Sequence, residues 1–403
     1  MMRNRSLTLA IAAAVVLIAG LWLALHRSSE SGQLDGGAVF TDLTPSLGAV
    51  TEVRLSKGDG SRTTLRKDAQ GWTVVERNYP ADPARVRELV LGLTNLKIIE
   101  RKTSEPANYP KLGVEATDSP TATGTAVEVV AGPKTWSLIV GKNAEGRGVY
   151  VRKPKDAGSV LAEPAVSADP DQKRWLDRKL VDIPAGDVHQ VSVRPAGGPD
   201  YQLTRAARTD ADLSLSPVPL GRKVASSMVV DGQAEALTAF NFDDVRARSA
   251  PAPAASDHAT YRLFDGQVLE FAGHKEGDKA YVTVDASRDA ALAAQFAEAA
   301  PATPAPIPGS APAGSAAPQA NAANTAPTAK PAAPAAVKPA DHTVEELAAR
   351  AKGVEFEIPL YKYESLFKPL ESLLEKKPEP PAKAPFKAAK PAARPPAKPD
   401  SKQ

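Results

Sequence analysis

The sequence predicts an α+β protein: an N-terminal transmembrane helix, then two related mixed α/β repeat units with mainly antiparallel sheets, with a disordered Pro/Ala-rich insert and tail. Three observations predict this class. Residues 7–25 form an uncharged apolar run. Short alternating strand patterns, separated by Gly-containing turns, follow in two series. A helix-to-strand pattern occurs in both series, at residues 78–102 and 227–249, and such repetition indicates a repeated structural unit.

Composition limits the foldable part of the 403 residues. Ten of the 37 prolines fall in residues 301–340 and eight in residues 377–403. The formal net charge of +3 comes from the C-terminus, because residues 376–403 carry eight Lys or Arg against two acidic residues. Cysteine is absent, which excludes a disulfide framework, a thiolate metal site, a catalytic thiol and a lipoprotein.

The apolar run at residues 7–25 is the predicted membrane span. At ~1.5 Å per residue, a helix of 19 residues roughly crosses a ~30 Å hydrocarbon core. Arg3 and Arg5 precede it and only Arg27 follows closely, so the N-terminus is expected in the cytoplasm and the bulk of the chain in the periplasm or extracytoplasmic space. A cleaved signal peptide is the alternative, although such apolar regions usually have ~7 to 15 residues.

Boundaries follow from changes in composition. Residues 301–340 contain almost only Ala, Pro, Thr, Ser, Gly and Asn, which is too little apolar bulk to offset the entropy of ordering. The predicted parts are an anchor (1–27), a polar stalk (28–48), a first α/β repeat unit (49–186), a second unit (187–300 plus 341–376), a disordered insert (301–340) and a disordered basic tail (377–403).

The elements can be assigned in order. The first unit is expected to contain strands at 50–55, 62–66, 72–76, 97–101, 125–130, 135–140 and 148–152. The second is expected to contain strands at 188–193, 201–205, 213–215, 260–264, 267–271 and 279–284. After the insert we expect a helix at 343–351, a strand at 354–358 with Glu355 and Glu357 on its polar side, and an apolar helical face at 366–374 that Pro369 interrupts.

The helix-to-strand segment is the best-defined element of each unit. In the first, Asp82 is expected to cap a helix that Pro83 opens, because Asp is favoured at the N-cap and Pro in the first turn. In the second, Asp231 is expected at the capping position. Val188, Val191 and Val193 also repeat the spacing of Val50, Val53 and Leu55.

These motifs resemble a bacterial family of domains of unknown function numbered 4340. The likeness is carried by the anchor, VTEVRL at 50–55, PADPARVRELVLGLTNLK at 80–97, YPKLGVE at 109–115 and VEFEIPLYKYESLFKPLESLL at 354–374. The resemblance implies a membrane-anchored extracytoplasmic repeat protein at the bacterial inner membrane. It further implies a gene near components of gliding-motility-type ABC transporters and brings no set of catalytic residues.

The residues themselves suggest no chemistry, so we predict no catalytic, cofactor-binding or metal-binding residues and no cofactor. Asp243–Asp244 is an adjacent acidic pair beside an apolar element, and it is interpreted as a solvated turn between a helix and a strand. The histidines show no metal-ligand spacing; they are His26, His189, His258, His274 and His342.

The leading hypothesis is therefore a non-catalytic, membrane-anchored accessory or scaffold protein of a membrane complex, with an ABC transporter suggested by the resemblance. A second is a structural envelope protein whose tail binds anionic cell-wall polymers or lipid headgroups. A third is an envelope hydrolase with two acidic residues. Nucleic acid is not expected, since the anchor would hold the tail outside the cytoplasm. The basic residues of the tail that are spaced by Pro and Ala are Lys383, Lys387, Lys390, Arg394, Lys398 and Lys402.

Overall fold

The computed structural model describes residues 36–248, 256–297 and 343–375. Over these ranges the protein is a mixed α/β structure with two large antiparallel sheets and one two-stranded sheet, as predicted. The predicted membrane span (7–25), insert (301–340) and tail (377–403) lie outside these ranges. None of the helices in the ranges described is both long and apolar enough to cross a membrane.

The first sheet has nine strands in the order β4-β3-β2-β1-β6-β7-β8-β9-β5. All neighbouring strands in it pair antiparallel. The strands are β1 Val50–Lys57, β2 Arg62–Asp68, β3 Gly71–Val74, β4 Tyr79–Pro80, β5 Lys97–Arg101, β6 Thr125–Ala131, β7 Lys134–Ala144, β8 Gly148–Arg152 and β9 Ser159–Glu163.

The second sheet has eight strands in the order β13-β12-β11-β16-β17-β18-β19-β15, and β10 and β14 form the small sheet. The strands are β10 Lys179–Val181, β11 Val188–Arg194, β12 Tyr201–Thr204, β13 Ser214–Ser216, β14 Phe240–Asn241, β15 Asp244–Ala247, β16 Asp257–Leu263, β17 Gln267–Glu276, β18 Lys279–Arg288 and β19 Val354–Ile358.

The two large sheets have the same strand order, since each strand of the second carries a number ten higher than its counterpart in the first. The central pairs also share their alignment: Val53 lies opposite Leu65, and Val191 opposite Leu203. An irregularity after Val50 in β1 recurs at the corresponding position of β11. The constant offset of the valines in the sequence therefore reflects equivalent positions in two sheets.

The described ranges contain six α-helices and several short 3-10 turns. The helices are α1 Pro83–Thr94, α2 Tyr109–Leu112, α3 Ser227–Asp231, α4 Ala290–Phe296, α5 Val344–Ala351 and α6 Leu360–Leu366. Residues 75 and 76, predicted as the end of a strand, instead belong to a 3-10 turn, Val75–Arg77. Asn78 ends this turn in the left-handed conformation, with φ at 48°.

The cap of helix α1 is as predicted. The Asp82 carboxylate accepts hydrogen bonds from the backbone N–H groups of Ala84 at 2.9 Å and Arg85 at 3.3 Å, and Pro83 occupies the first turn. The apolar face of the helix is buried against the core. Asp82 thereby satisfies two backbone donors that have no partner within the helix.

Replacing Asp82 with Ala should lower the free energy of unfolding by about 1 kcal/mol, the usual value of an N-cap. Urea denaturation followed by circular dichroism would measure it. Arg85→Ala is the matched control, because it removes the exposed Arg85–Asp82 ion pair and leaves the cap in place. Equal losses in the two variants would show that the ion pair, not the cap, stabilises the helix.

The prediction for Asp231 is wrong. Asp231 is the last residue of α3, and its carboxylate accepts a hydrogen bond from the backbone N–H of Leu213 at 2.8 Å. Burial raises the pKa of Asp231. Helix α3 begins earlier than the capping pattern indicates and is only five residues long. The apolar residues after Asp231 therefore form a 3-10 turn, Ala234–Leu237, instead of a helix.

The predicted stalk is also wrong in its described part, residues 36–48. Val39, Phe40 and Leu43 are buried in the main hydrophobic core. The Val39 N–H donates to the Leu96 carbonyl at 2.9 Å, and the Trp136 indole N–H donates to the Asp42 carboxylate at 2.7 Å. This stretch therefore lines the edge of the first sheet beside β5, and its three large apolar side chains supply the driving force.

The described segment at residues 343–375 completes the second sheet. Strand β19 lies between β18 and β15, and its Val354, Phe356 and Ile358 are buried in the core. Pro369 breaks the following helix as expected, since it precedes a 3-10 turn instead of continuing α6. Glu355, expected on the polar side, is only 1% exposed.

Candidate functional site

A cluster of ion pairs joins the two halves of the chain. The Arg77 guanidinium donates to both carboxylate oxygens of Asp244, at 2.8 and 3.1 Å. The Lys173 ammonium lies 3.3 Å from the same carboxylate. Arg77 and Lys173 come from the side of the first sheet, whereas Asp244 begins β15 of the second. We call Arg77, Lys173 and Asp244 the junction ion-pair cluster.

An aromatic cluster lies at the same junction. The rings of Phe242 and Phe356 are 4.9 Å apart, and the ring of Tyr79 lies 5.3 Å from Phe242 and 5.7 Å from Phe356. Arg350 stacks over Tyr79 at 5.5 Å and forms an ion pair with Asp177 at 3.0 Å. Burial raises the pKa of Tyr79 to about 12. Apolar rings and charged groups from both halves are thus fixed at one place.

The acidic pair Asp243–Asp244 is not the solvated turn that the sequence suggested. The Asp244 side chain is only 15% exposed. Burial on its own would raise its pKa, but hydrogen bonds from Arg77 and the Val245 N–H, with the charges of Arg77 and Lys173, lower it below the usual value. Asp243 pairs instead with Arg178 at 2.6 Å. Asp244 is therefore an ionised partner in the junction and not a proton donor.

A second carboxylate pair lies on the second sheet. Arg246 donates to Glu355 at 2.6 Å and to Glu276 at 2.7 Å, and its guanidinium stacks over Tyr281 at 3.6 Å. Hydrogen bonds from Arg246, and then from His274, lower the pKa of Glu276 to about 2. Glu276 thus lacks the raised pKa that a general acid needs at neutral pH.

The histidines occupy unrelated positions. His189 packs between Phe264 and Phe296, and His274 stacks on Tyr281. His26 and His342 lie outside the described ranges. Within those ranges, no three His, Cys, Asp or Glu side chains are grouped closely enough to hold a metal ion.

Several large apolar side chains of the second half are exposed: Leu220 in a turn, Met228 in α3 and Tyr361 in α6. Leu220 is 103% exposed, Met228 82% and Tyr361 65%. The Lys368 ammonium, two residues after α6, donates to the Val229 carbonyl of α3 at 3.4 Å, so the segments that carry Met228 and Tyr361 contact each other. We call Leu220, Met228 and Tyr361 the exposed apolar set. Sequence patterns missed it because its members come from separate loops and helix ends.

Comparison with known proteins gives one match. The model of a family described as a domain of unknown function, DUF4340, matches residues 72–265. The matched segment begins in β3 and ends just after β16, so it crosses from the first sheet into the second. No curated protein and no solved structure matches.

Proposed function

Because the chain belongs, through residues 72–265, to the DUF4340 family of domains of unknown function, we propose a role in binding rather than in catalysis. The protein is a non-catalytic accessory or scaffold of a membrane complex at the bacterial inner membrane. Residues 7–25 anchor it as a single span with the N-terminus inside, and the described body works on the extracytoplasmic side. The apolar length of that segment and the arginines before it support this orientation.

The body consists of two related α/β units. The shared strand order and the equivalent register of β1–β2 and β11–β12 support this proposal. The junction ion-pair cluster and the rings of Tyr79, Phe242 and Phe356 hold the two units against each other. A body fixed in this way presents its outer surfaces in a constant relative position, which suits a scaffold.

The observation that carries the proposal is the exposed apolar set. Singly exposed apolar residues are common, whereas groups of large exposed ones are typical of contact surfaces. Leu220, Met228 and Tyr361 are each more than half exposed in the second unit. We propose that this set contacts a protein subunit of the complex. The choice of an ABC transporter as that complex comes from the family resemblance and not from the geometry.

Site-specific photocrosslinking in living cells would test this role. A photoreactive residue placed at Leu220, Met228 or Tyr361 of the full chain should give adducts with an integral membrane protein, and mass spectrometry would identify it. The matched control is the same photoreactive residue at Ala69, which is exposed in a turn of the first unit. Adduct patterns that are the same at Ala69 and at the exposed apolar set would reject this surface as the contact.

A further inference from the structure

A cavity opens in the first unit, where β5 and β8 end and β9 begins. It has a volume of about 630 Å³, within the usual ~300 to 1,000 Å³ of small-molecule sites. The segment at residues 37–39 runs along one side of it, held by the bond from the Ile98 N–H to the Gly37 carbonyl at 2.8 Å. We call this space the β5–β9 cavity.

Basic side chains dominate the charged part of the lining. Arg101, Lys102, Arg152 and Lys153 line the cavity, against the single carboxylate of Asp156. Lys102 is paired with a neighbouring glutamate at 2.7 Å. Lys153 is exposed and lies over the ring of a core phenylalanine at 5.7 Å. The charged residues of the lining therefore favour an anionic ligand.

Arg152 contributes to this preference for an anionic ligand through a buried positive charge. It is only 6% exposed, and its guanidinium donates to the carbonyl oxygens of Val114 at 2.7 Å and Asp156 at 3.1 Å. Carbonyl oxygens solvate a positive charge but do not neutralise it. A buried charge interacts more strongly with other charges than a charge in water does. Arg152 therefore adds a positive electrostatic potential to this wall of the cavity.

The remaining lining has two further properties. Hydroxyl groups occur on one wall, where the Ser159 hydroxyl donates to the Thr103 carbonyl at 2.7 Å. The floor is apolar: Ile98 and Val160 are half-buried, and Val39, Leu138 and Val151 are buried. A ligand that fills this space would have an anionic group beside the cations and an apolar part on the floor.

The position of the cavity relative to the predicted membrane span favours a ligand that comes from the membrane. Residue 38 lines it, and ten residues, 26–35, separate the predicted membrane span from the described chain. Covalent geometry limits such a segment to about 35 Å, so the span would keep the cavity within roughly that distance of the membrane. This step rests on the proposed anchorage, whereas the lining itself does not.

We propose that the β5–β9 cavity binds the phosphate group of an anionic phospholipid. Arg101, Arg152 and Lys153 face the phosphate, and the apolar floor receives the upper part of the acyl chains. Charge-assisted hydrogen bonds to phosphate are among the stronger polar contacts in proteins. The combination of basic wall and apolar floor distinguishes a lipid headgroup from a free anion.

Calorimetric titration of the purified full-length protein in uncharged detergent would test this site. The probes are dihexanoyl phosphatidylglycerol, dihexanoyl phosphatidylcholine and inorganic phosphate. We expect phosphatidylglycerol to bind at least tenfold more tightly than the other two, with an affinity that falls as salt is raised. Equal affinity for phosphatidylcholine would contradict the charge argument, and equal affinity for inorganic phosphate would contradict the role of the floor.

Matched variants locate the binding. Lys153→Gln should weaken phosphatidylglycerol binding about tenfold, the usual effect of one charge-assisted contact, whereas Lys155→Gln, two residues away and outside the lining, should leave it unchanged. Circular dichroism would establish that both variants are folded. Absence of binding, or equal weakening by both variants, would overturn the site. Since the probes are soluble, such a failure would leave the crosslinking result on the scaffold role unaffected.

Discussion

Replacing Phe356 with Ala should lower the free energy of unfolding by about 3–5 kcal/mol, because it removes a fully buried ring and leaves a cavity. Phe356 is 0% exposed and contacts Tyr79 of the first unit and Phe242 of the second. Urea denaturation of the full-length protein, followed by tryptophan fluorescence, would measure the loss. The effect is expected to be the largest of any side-chain truncation at the junction.

Leu360→Ala provides the control for this experiment. Leu360 lies four residues further along and is 44% exposed, so its truncation should cost well under the value for a buried ring. A loss at Phe356 no greater than that at Leu360 would show that the junction contributes little to stability. A large loss would establish that the rings join the two units.

Asp244→Asn should destabilise the protein by about 2 kcal/mol. Breaking a fully buried ion pair costs ~3–5 kcal/mol, and the exposure of the partners, 29% for Arg77 and 15% for Asp244, reduces that value. A double-mutant cycle with Arg77→Met would isolate the coupling between the two side chains. Strictly additive losses in the cycle would mean that the contact between them is not stabilising.

The same variant has an expected pH dependence. The pKa of Asp244 in the folded protein lies below its usual value of 3.8, so its stabilising effect is complete above the unfolded value and is lost as pH falls through the folded one. The difference in free energy of unfolding between wild type and Asp244→Asn should therefore be constant near neutral pH and shrink below about pH 4. A difference that does not change down to acidic pH would exclude Asp244 as the titrating group.

Local patterns predicted much of the fold. Strand β5 is both predicted and observed at residues 97–101, directly after the capped helix. The cap at Asp82 followed from a local rule and was correct. Asp231 satisfies the same rule, but the prediction of a cap there is wrong. Its carboxylate accepts a hydrogen bond from the backbone N–H of Leu213 instead.

The parts that could not be predicted depend on residues distant in sequence. Glu355 is buried because Arg246, more than a hundred positions earlier, pairs with it across β15 and β19. Asp244 likewise finds Arg77 across the junction. The β5–β9 cavity takes its lining from several separate segments. No spacing rule in a single sequence indicates such contacts. They depend on the order of strands in the sheet, which pairs segments that are far apart in the sequence.

The position of β19 has a consequence for how the chain could be divided. Strand β19 follows residues 298–342 in the sequence. In the sheet it lies between β18 and β15 and pairs antiparallel with both. A polypeptide cut within that interval would keep every one of those backbone bonds. The protein is therefore a natural candidate for fragment complementation, in which a short C-terminal peptide restores the larger piece by occupying an empty strand position.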